Sequence, residues 1–171
     1  MIVLGIDPGK RCTGWAVVDS LGLKLLDHGE LKLKWRSGPD YVKMAEEILG
    51  RARSLGVTHV AVEDQYLGVK FDKTGAQRLL VTTYKSLTES RMVWTTLAWS
   101  AGLKVVTEAP AAWQTAVLPI KLRAKSGERK CASIWAAKAM WNVNLREDVA
   151  DAANIARWAV TDIKMAQLKG A

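Results

Sequence analysis

The chain begins MIVLGIDPGKRCTGWAVVDS. Residues that suit a buried strand run without a polar break into Asp7. Continuous apolar strands of this kind belong to sheets covered on both faces. Pro8 and Gly9 then turn the chain, and TGWAVVD returns as a second strand. This is the tightest constraint in the sequence. A core strand that ends on a carboxylate calls for an α/β sheet, with an acid at its carboxyl edge, where open α/β sheets place their ligands.

The rest of the chain agrees with such a sheet. LKLLDHGELKLK alternates and predicts a third strand, antiparallel and nearer an edge. Pro39 suits the first position of a helix, and DYVKMAEEILGRARSLG has helical spacing with Gly56 as its stop. VTHVAVED reads as the next strand, residues 64–75 as a loop and residues 76–101 as one long helix. Apolar residues occupy more than one face of that helix: Leu80, Tyr84, Leu87, Trp94 and Ala98 on one, Leu79, Val93 and Leu97 beside it. Such a helix should touch both the sheet and something else, such as a second subunit. LKVVTEA is a fifth strand, Pro110 opens a short helix, and residues 118–130 read as a basic loop. Helices are expected over about 128–141 and 145–168. Strands followed by helices interleaved with strands make an α/β sandwich, read here as a single domain over residues 1–171. Trp94, Trp99, Trp135 and Trp158 lie on helical patterns and are expected to pack in the core or an interface rather than stack on bases.

Composition narrows the partners. Apolar residues make up 49% of the chain, enough for a sizeable core, and the formal net charge of +8 favours a polyanion, nucleic acid before an acidic lipid surface. Cys12 and Cys131 form no C-x-x-C pair and no metal-ligand spacing, which fits a reducing, cytoplasmic setting. No 18-residue apolar run is present, and the first apolar run lacks a basic leader and ends on an acid, so neither a membrane span nor a signal peptide is expected.

Four acids stand where acids are costly. Asp7 ends the first strand and Glu63 the fourth; if the two lie side by side and parallel, both carboxylates emerge at one sheet edge. In NLREDVADAANIARWAV, Asn144 and Glu147 form a capping-box signature that starts a helix near Leu145. Asp148 and Asp151, three apart, share a face with Ala152, Ile155, Ala159 and Ile163, while Arg146, Asn154, Arg157 and Lys164 make the polar face. Burying unpaired carboxylates is expensive, and no basic residue lies on that stripe. A hard divalent metal answers the need better: Mg²⁺ takes carboxylate oxygens and keeps its waters. The plain alternative is that Asp148 and Asp151 only cap the helix. Two metals bridged by one carboxylate can clamp the attacking and leaving oxygens of a phosphodiester, and Asp7 on the central strand is the best-placed bridge. His28 and His59 fall at no motif and are expected to be structural or surface residues.

GIDPGKRCTGWAVVD, VAVEDQY and DVADAANIA together resemble, in order and spacing, the RuvC-like Holliday junction resolvases. The resemblance implies an RNase H-like fold, a five-stranded mixed sheet in the order 3-2-1-4-5 sandwiched between helices. It implies a homodimer that nicks paired strands of a four-way DNA junction, in recombination and repair, with two Mg²⁺ ions per site and Mn²⁺ as a substitute. It assigns the metal-binding catalytic acids to Asp7, Glu63, Asp148 and Asp151, puts Tyr66 at the position of an aromatic wedge, and puts Lys130, with Arg129 as alternative, near the scissile phosphate. It also implies a bacterial or phage-borne protein of the cytoplasm. A second family lysine has no counterpart in APAAWQTAV; Lys121, Arg123 or Lys125, in the long basic stretch LPIKLRAKSGERK, are the candidates to replace it. Those cations would hold phosphates rather than read sequence; an ordinary solvated loop is the alternative. A broader branched-DNA or RNA-processing nuclease of the same fold stays open. So does an actin-like ATPase, although that fold needs a second domain and a second glycine-rich phosphate loop, of which the chain shows no copy.

Overall fold

A computed structural model of the chain describes residues 1–9, 12–32, 38–64, 69–71, 77–79, 81–118 and 126–169. Its sheet is built around β1 (Ile2–Asp7). On one side β1 pairs antiparallel with β2 (Thr13–Asp19), which pairs antiparallel with β3 (Lys24–Leu31). On the other it runs parallel to β4 (His59–Glu63), itself parallel to β7 (Lys104–Glu108). The order β3-β2-β1-β4-β7 is the expected 3-2-1-4-5, with β7 as fifth strand of the sheet. The added strands β5 (Val69–Phe71) and β6 (Gln77–Leu79) form a separate hairpin. They fall where a loop and the start of the long helix were expected; three-residue strands are too short to announce themselves by alternation.

The sheet is covered on both faces, which explains the unbroken apolar run of β1. Leu4 and Ile6 point to a core with α1 (Pro39–Ser54) and α2 (Val81–Ser100), joined by Tyr41, Leu49, Val60, Val62 and Trp94. Val3 points the other way, to a core shared with α3 (Pro110–Val117), α4 (Ser126–Trp141) and α5 (Glu147–Lys169). Side chains alternate along a strand, so Gly5 and Asp7 lie on the α5 side with Val3. By the same rule Glu63 shares the α5 side of β4 with Ala61. No helix among the described residues is long and apolar enough to cross a membrane.

Helix α1 behaves as read, with Pro39 in its first turn and Gly56 (φ 82°) just past its end. Helix α2 starts at Val81, later than expected, and its inward stripe is partly polar: Ser86, Ser90 and Thr95 are buried beside Trp94 and Ala98. The Tyr41 hydroxyl accounts for Ser90, bonding its Oγ at 2.9 Å, Thr13 Oγ1 at 2.9 Å and the Trp94 indole N–H at 2.9 Å. Of the four helical tryptophans, Trp94 and Trp158 are buried as expected, whereas Trp99 and Trp135 are exposed in the monomer.

Helix α5 corrects three expectations. It begins at Glu147, not Leu145, because Leu145 is drawn into the core ahead of it, with Asn144 left exposed. Burial is nearly all-round from Val149 to Val160, not a stripe, since α5 is covered by the sheet and by α3 and α4. Asn154, assigned above to the polar face, is fully buried, and Arg157 is only partly exposed.

Two glycines let α5 sit this close. A methyl group at Gly5 would overlap the Ala152 carbonyl oxygen, and one at Gly14, which pairs with Asp7 across β1–β2, would overlap that of Asp148. Both obstacles are backbone, which cannot turn aside. Overpacking costs about 1–3 kcal/mol even where side chains can yield. Gly14→Ala is therefore expected to lower the melting temperature by roughly 6 °C or more in a thermal unfolding scan; a change under about 2 °C would contradict this seating.

Candidate active site

The carboxyl edge of the sheet and the first turns of α5 bring the four predicted acids together. Ile6 lies opposite Val62 in the parallel β1–β4 register, so Asp7 and Glu63 are the next residues out on neighbouring strands. The end of β4 is fixed on both sides: Asp64 N–H donates to the Glu108 carbonyl (2.8 Å), and Arg91 of α2 pairs with the Asp64 carboxylate (2.5 Å). Asp148 and Asp151 enter from α5, held against β1 and β2 by the bare backbone at Gly5 and Gly14. All four acids are partly buried.

The electrostatics are those of an acid cluster. Burial, then the carboxylates of Glu63, Asp151, Asp148 and Glu147, raise Asp7 well above the usual aspartate range. Among the described residues, the charged groups bearing most on Asp7 are thus all of one sign. Asp151 is pushed up to about 7, mainly by burial, with the Ser133 hydroxyl working against the rise and Glu63, Glu147 and Asp148 adding to it. Glu147 is a fifth acid of the cluster. The sequence reading gave it a capping role, although its place beside Asp148 was a visible signal.

Three of the acids are met by neutral polar groups on three different segments. Trp113 Nε1 of α3 donates to Glu63 Oε1 at 2.8 Å. The Cys12 thiol, just ahead of β2, bonds Asp148; burial first and this bond second raise the thiol to about 12, so it stays a protonated donor. The Ser133 hydroxyl of α4 bears on Asp151. None of the three donors was named from the sequence as part of a site. Each is an ordinary residue whose role appears only once its helix or turn is placed.

Clustered hard oxygen donors of one charge suit a divalent cation such as Mg²⁺ or Mn²⁺. Among the described residues no three carboxylate, imidazole or thiol groups already form one coordination sphere. The donor chemistry suits such an ion, and Asp7, Glu63, Asp148 and Asp151 are the residues that would hold it, with their side chains turned toward a common centre.

The remaining expected contacts are placed only in part. Tyr66, Lys121, Arg123 and Lys125 lie outside the described residues. Arg129 and Lys130 belong to the backbone of α4, which begins at Ser126, so the expected basic loop is helical from there on. His59 begins β4, at the end of the strand away from Glu63, and bonds Thr58 Oγ1 through Nδ1 (2.8 Å). His28 lies exposed on the edge strand β3.

With this geometry in hand, comparison with solved structures is informative about the fold. The chain superposes on Thermus thermophilus RuvC in complex with a Holliday junction substrate with a TM-score of 0.71 and 22% identity, covering 96% of each chain. Thermus thermophilus RuvC alone gives 0.68 and 20%, covering 97% of each. The fowlpox virus Holliday junction resolvase gives 0.59 and 13%, covering 95% of this chain and 99% of that one. The chain therefore has the RNase H-like fold of the RuvC-like resolvases. No family model matches the sequence, and no curated protein matches it.

Proposed function

We propose that this protein is a divalent-metal-dependent endodeoxyribonuclease that resolves four-way DNA junctions by paired nicks. The observation that carries the reading is the acid cluster: Asp7 is flanked by Glu63, Asp148 and Asp151 at the carboxyl edge, with like charges bearing on it. The fold, shared with proteins solved as Holliday junction resolvases, supports the choice of substrate.

When bound, two divalent ions would supply electrostatic clamping of the attacking and leaving oxygens of a phosphodiester. The chain's own residues do the rest. Asp7, on the strand between β2 and β4, would serve both ions. Glu63 is oriented by Trp113, Asp148 by Cys12 and Asp151 by Ser133. A net charge of +8 offsets the repulsion between this cluster and a phosphate backbone. Lys130, Arg129, Lys121, Arg123 and Lys125 are the candidates to hold phosphates, and Tyr66 to open the junction. Paired nicking needs two sites, hence a homodimer. The α1–α2 side supports one: an apolar cleft there is lined by Val42, Met92, Val93 and Leu97, and Met92 is exposed.

The decisive assay uses labelled four-way, Y-shaped and linear duplex DNA, and RNA of the same designs, with Mg²⁺ or with EDTA. Symmetric paired nicks in the four-way junction, only with Mg²⁺, are expected, from a protein that sediments as a dimer. Equal cutting of Y-shaped DNA or RNA would replace the junction reading with a broader nuclease. No cutting of any substrate would sink the enzyme.

A further inference from the structure

Asn154 is a misfit in its helix. It is fully buried, in a run DAANIA otherwise made of small or apolar residues beyond the aspartate, and its side-chain Oδ1 is buried without a hydrogen-bond partner. Alanine is the better helix former and would leave nothing unsatisfied. The compensating contacts all go to one residue on α4. Asn154 Nδ2 donates to the Ser133 carbonyl oxygen at 3.0 Å and to Ser133 Oγ at 2.9 Å. Ser133 is also fully buried.

These contacts have a direction. A carbonyl oxygen can only accept, so the Asn154 atom facing it is the amide nitrogen, and the amide orientation is settled by chemistry. The same NH₂ group occupies a lone pair on Ser133 Oγ. A hydroxyl has one proton to give, and Asp151, three residues before Asn154 on the same side of α5, is the acid on which the Ser133 hydroxyl bears. The donors then line up in one direction, from Asn154 to Ser133 and on toward Asp151. Glu63 and Asp148 receive their neutral donors directly from Trp113 and Cys12.

We propose that Ser133 and Asn154 are positioning residues that act in series to hold Asp151 in the orientation a divalent cation requires. The inference rests on the reading of Asp7, Glu63, Asp148 and Asp151 as the metal-binding set. Neither residue touches substrate in this role. Ser133 aims the carboxylate, and Asn154 aims Ser133.

A series relay predicts a particular pattern. Groups that orient metal ligands typically change metal affinity by about 10- to 100-fold when removed. Mn²⁺ binding to the full chain without DNA, read by electron paramagnetic resonance, is expected to weaken about tenfold in Ser133→Ala and about tenfold in Asn154→Ala. The double variant should be no weaker than the weaker single one, since breaking either link breaks the relay. Ser133→Thr, which keeps the hydroxyl, should bind within about threefold of the parent. In nicking assays the Mn²⁺ concentration for half-maximal rate should rise in the alanine variants, with the rate at saturating Mn²⁺ changed less than about threefold. Alanine suits both helices, so both variants are expected to fold, and either one alone decides the question. Single variants that bind Mn²⁺ as the parent does, or penalties that multiply in the double variant, overturn the positioning role and leave the proposed function standing. A parent that binds no Mn²⁺ at all overturns both.

Discussion

Asp7→Asn is expected to slow junction nicking by about 1,000-fold or more, the scale on which removing a preorganised electrostatic group acts, while junction binding measured by gel shift in Ca²⁺ stays within a few-fold. The substitution keeps the shape of the side chain and removes its charge. It leaves Gly5, Gly14 and the seating of α5 untouched, and it changes none of the cations proposed to hold phosphates. It also removes the carboxylate on which the other acids converge. Nicking by Asp7→Asn at the parent rate would remove Asp7 from the site and with it the two-ion reading. Loss of junction binding together with nicking would instead make Asp7 part of the fold of the binding surface.

The second large effect concerns stability. Asp7 and Asp151 bind protons more tightly in the folded chain than in the unfolded one. Their ionisation therefore favours unfolding. Without divalent cations, stability should be greatest below the ordinary aspartate range near pH 4, should fall as pH rises, and should level off once Asp7 and Asp151, the latter pushed up to about 7, have lost their protons. The cost by pH 8 is on the order of 2–4 kcal/mol, reduced by the partial solvent access of the acids and by the sharing of charge among them, or roughly 5–10 °C in melting temperature. Mg²⁺ should restore most of it at pH 8 and nothing at pH 4, where the carboxyl groups hold protons instead. Asp7→Asn should melt higher than the parent at pH 8 in EDTA and lose that advantage as pH falls. A parent whose melting temperature ignores both pH between 4 and 8 and added Mg²⁺ would rule out a strained acid cluster.

The sheet and the acids were legible because both leave periodic marks. A strand covered on both faces must be apolar throughout, so an acid at its end stands out; this located Asp7 and Glu63. Asp148 and Asp151 were legible because three-residue spacing puts them on one helical face. What lies between elements was not legible. Trp113, Cys12 and Ser133 meet acids brought from distant parts of the chain, and nothing in a tryptophan, cysteine or serine near its own neighbours marks it as a donor to them. The all-round burial of α5 was hidden by alanine, which fits a solvent face as well as a core. Asn154 misled for a related reason: a polar side chain at helical spacing reads as solvent-facing until its partner on α4 is in place. The β5–β6 hairpin escaped because three residues carry too little pattern to separate strand from loop or helix.

The choice of neutral donors around the acids has a consequence for ionic strength. An indole N–H, a thiol and a hydroxyl carry no net charge, so mobile ions do little to their hold on Glu63, Asp148 and Asp151. The proposed grip on a DNA backbone is the opposite case: it would come from cations that displace condensed counterions, and such a grip weakens steeply as electrolyte is added. Raising ionic strength should therefore make substrate leave the enzyme while the frame of the acid cluster stays as it was. Under the proposed function, the parts that would catch DNA and the parts that arrange the acids answer to different properties of the solution around them.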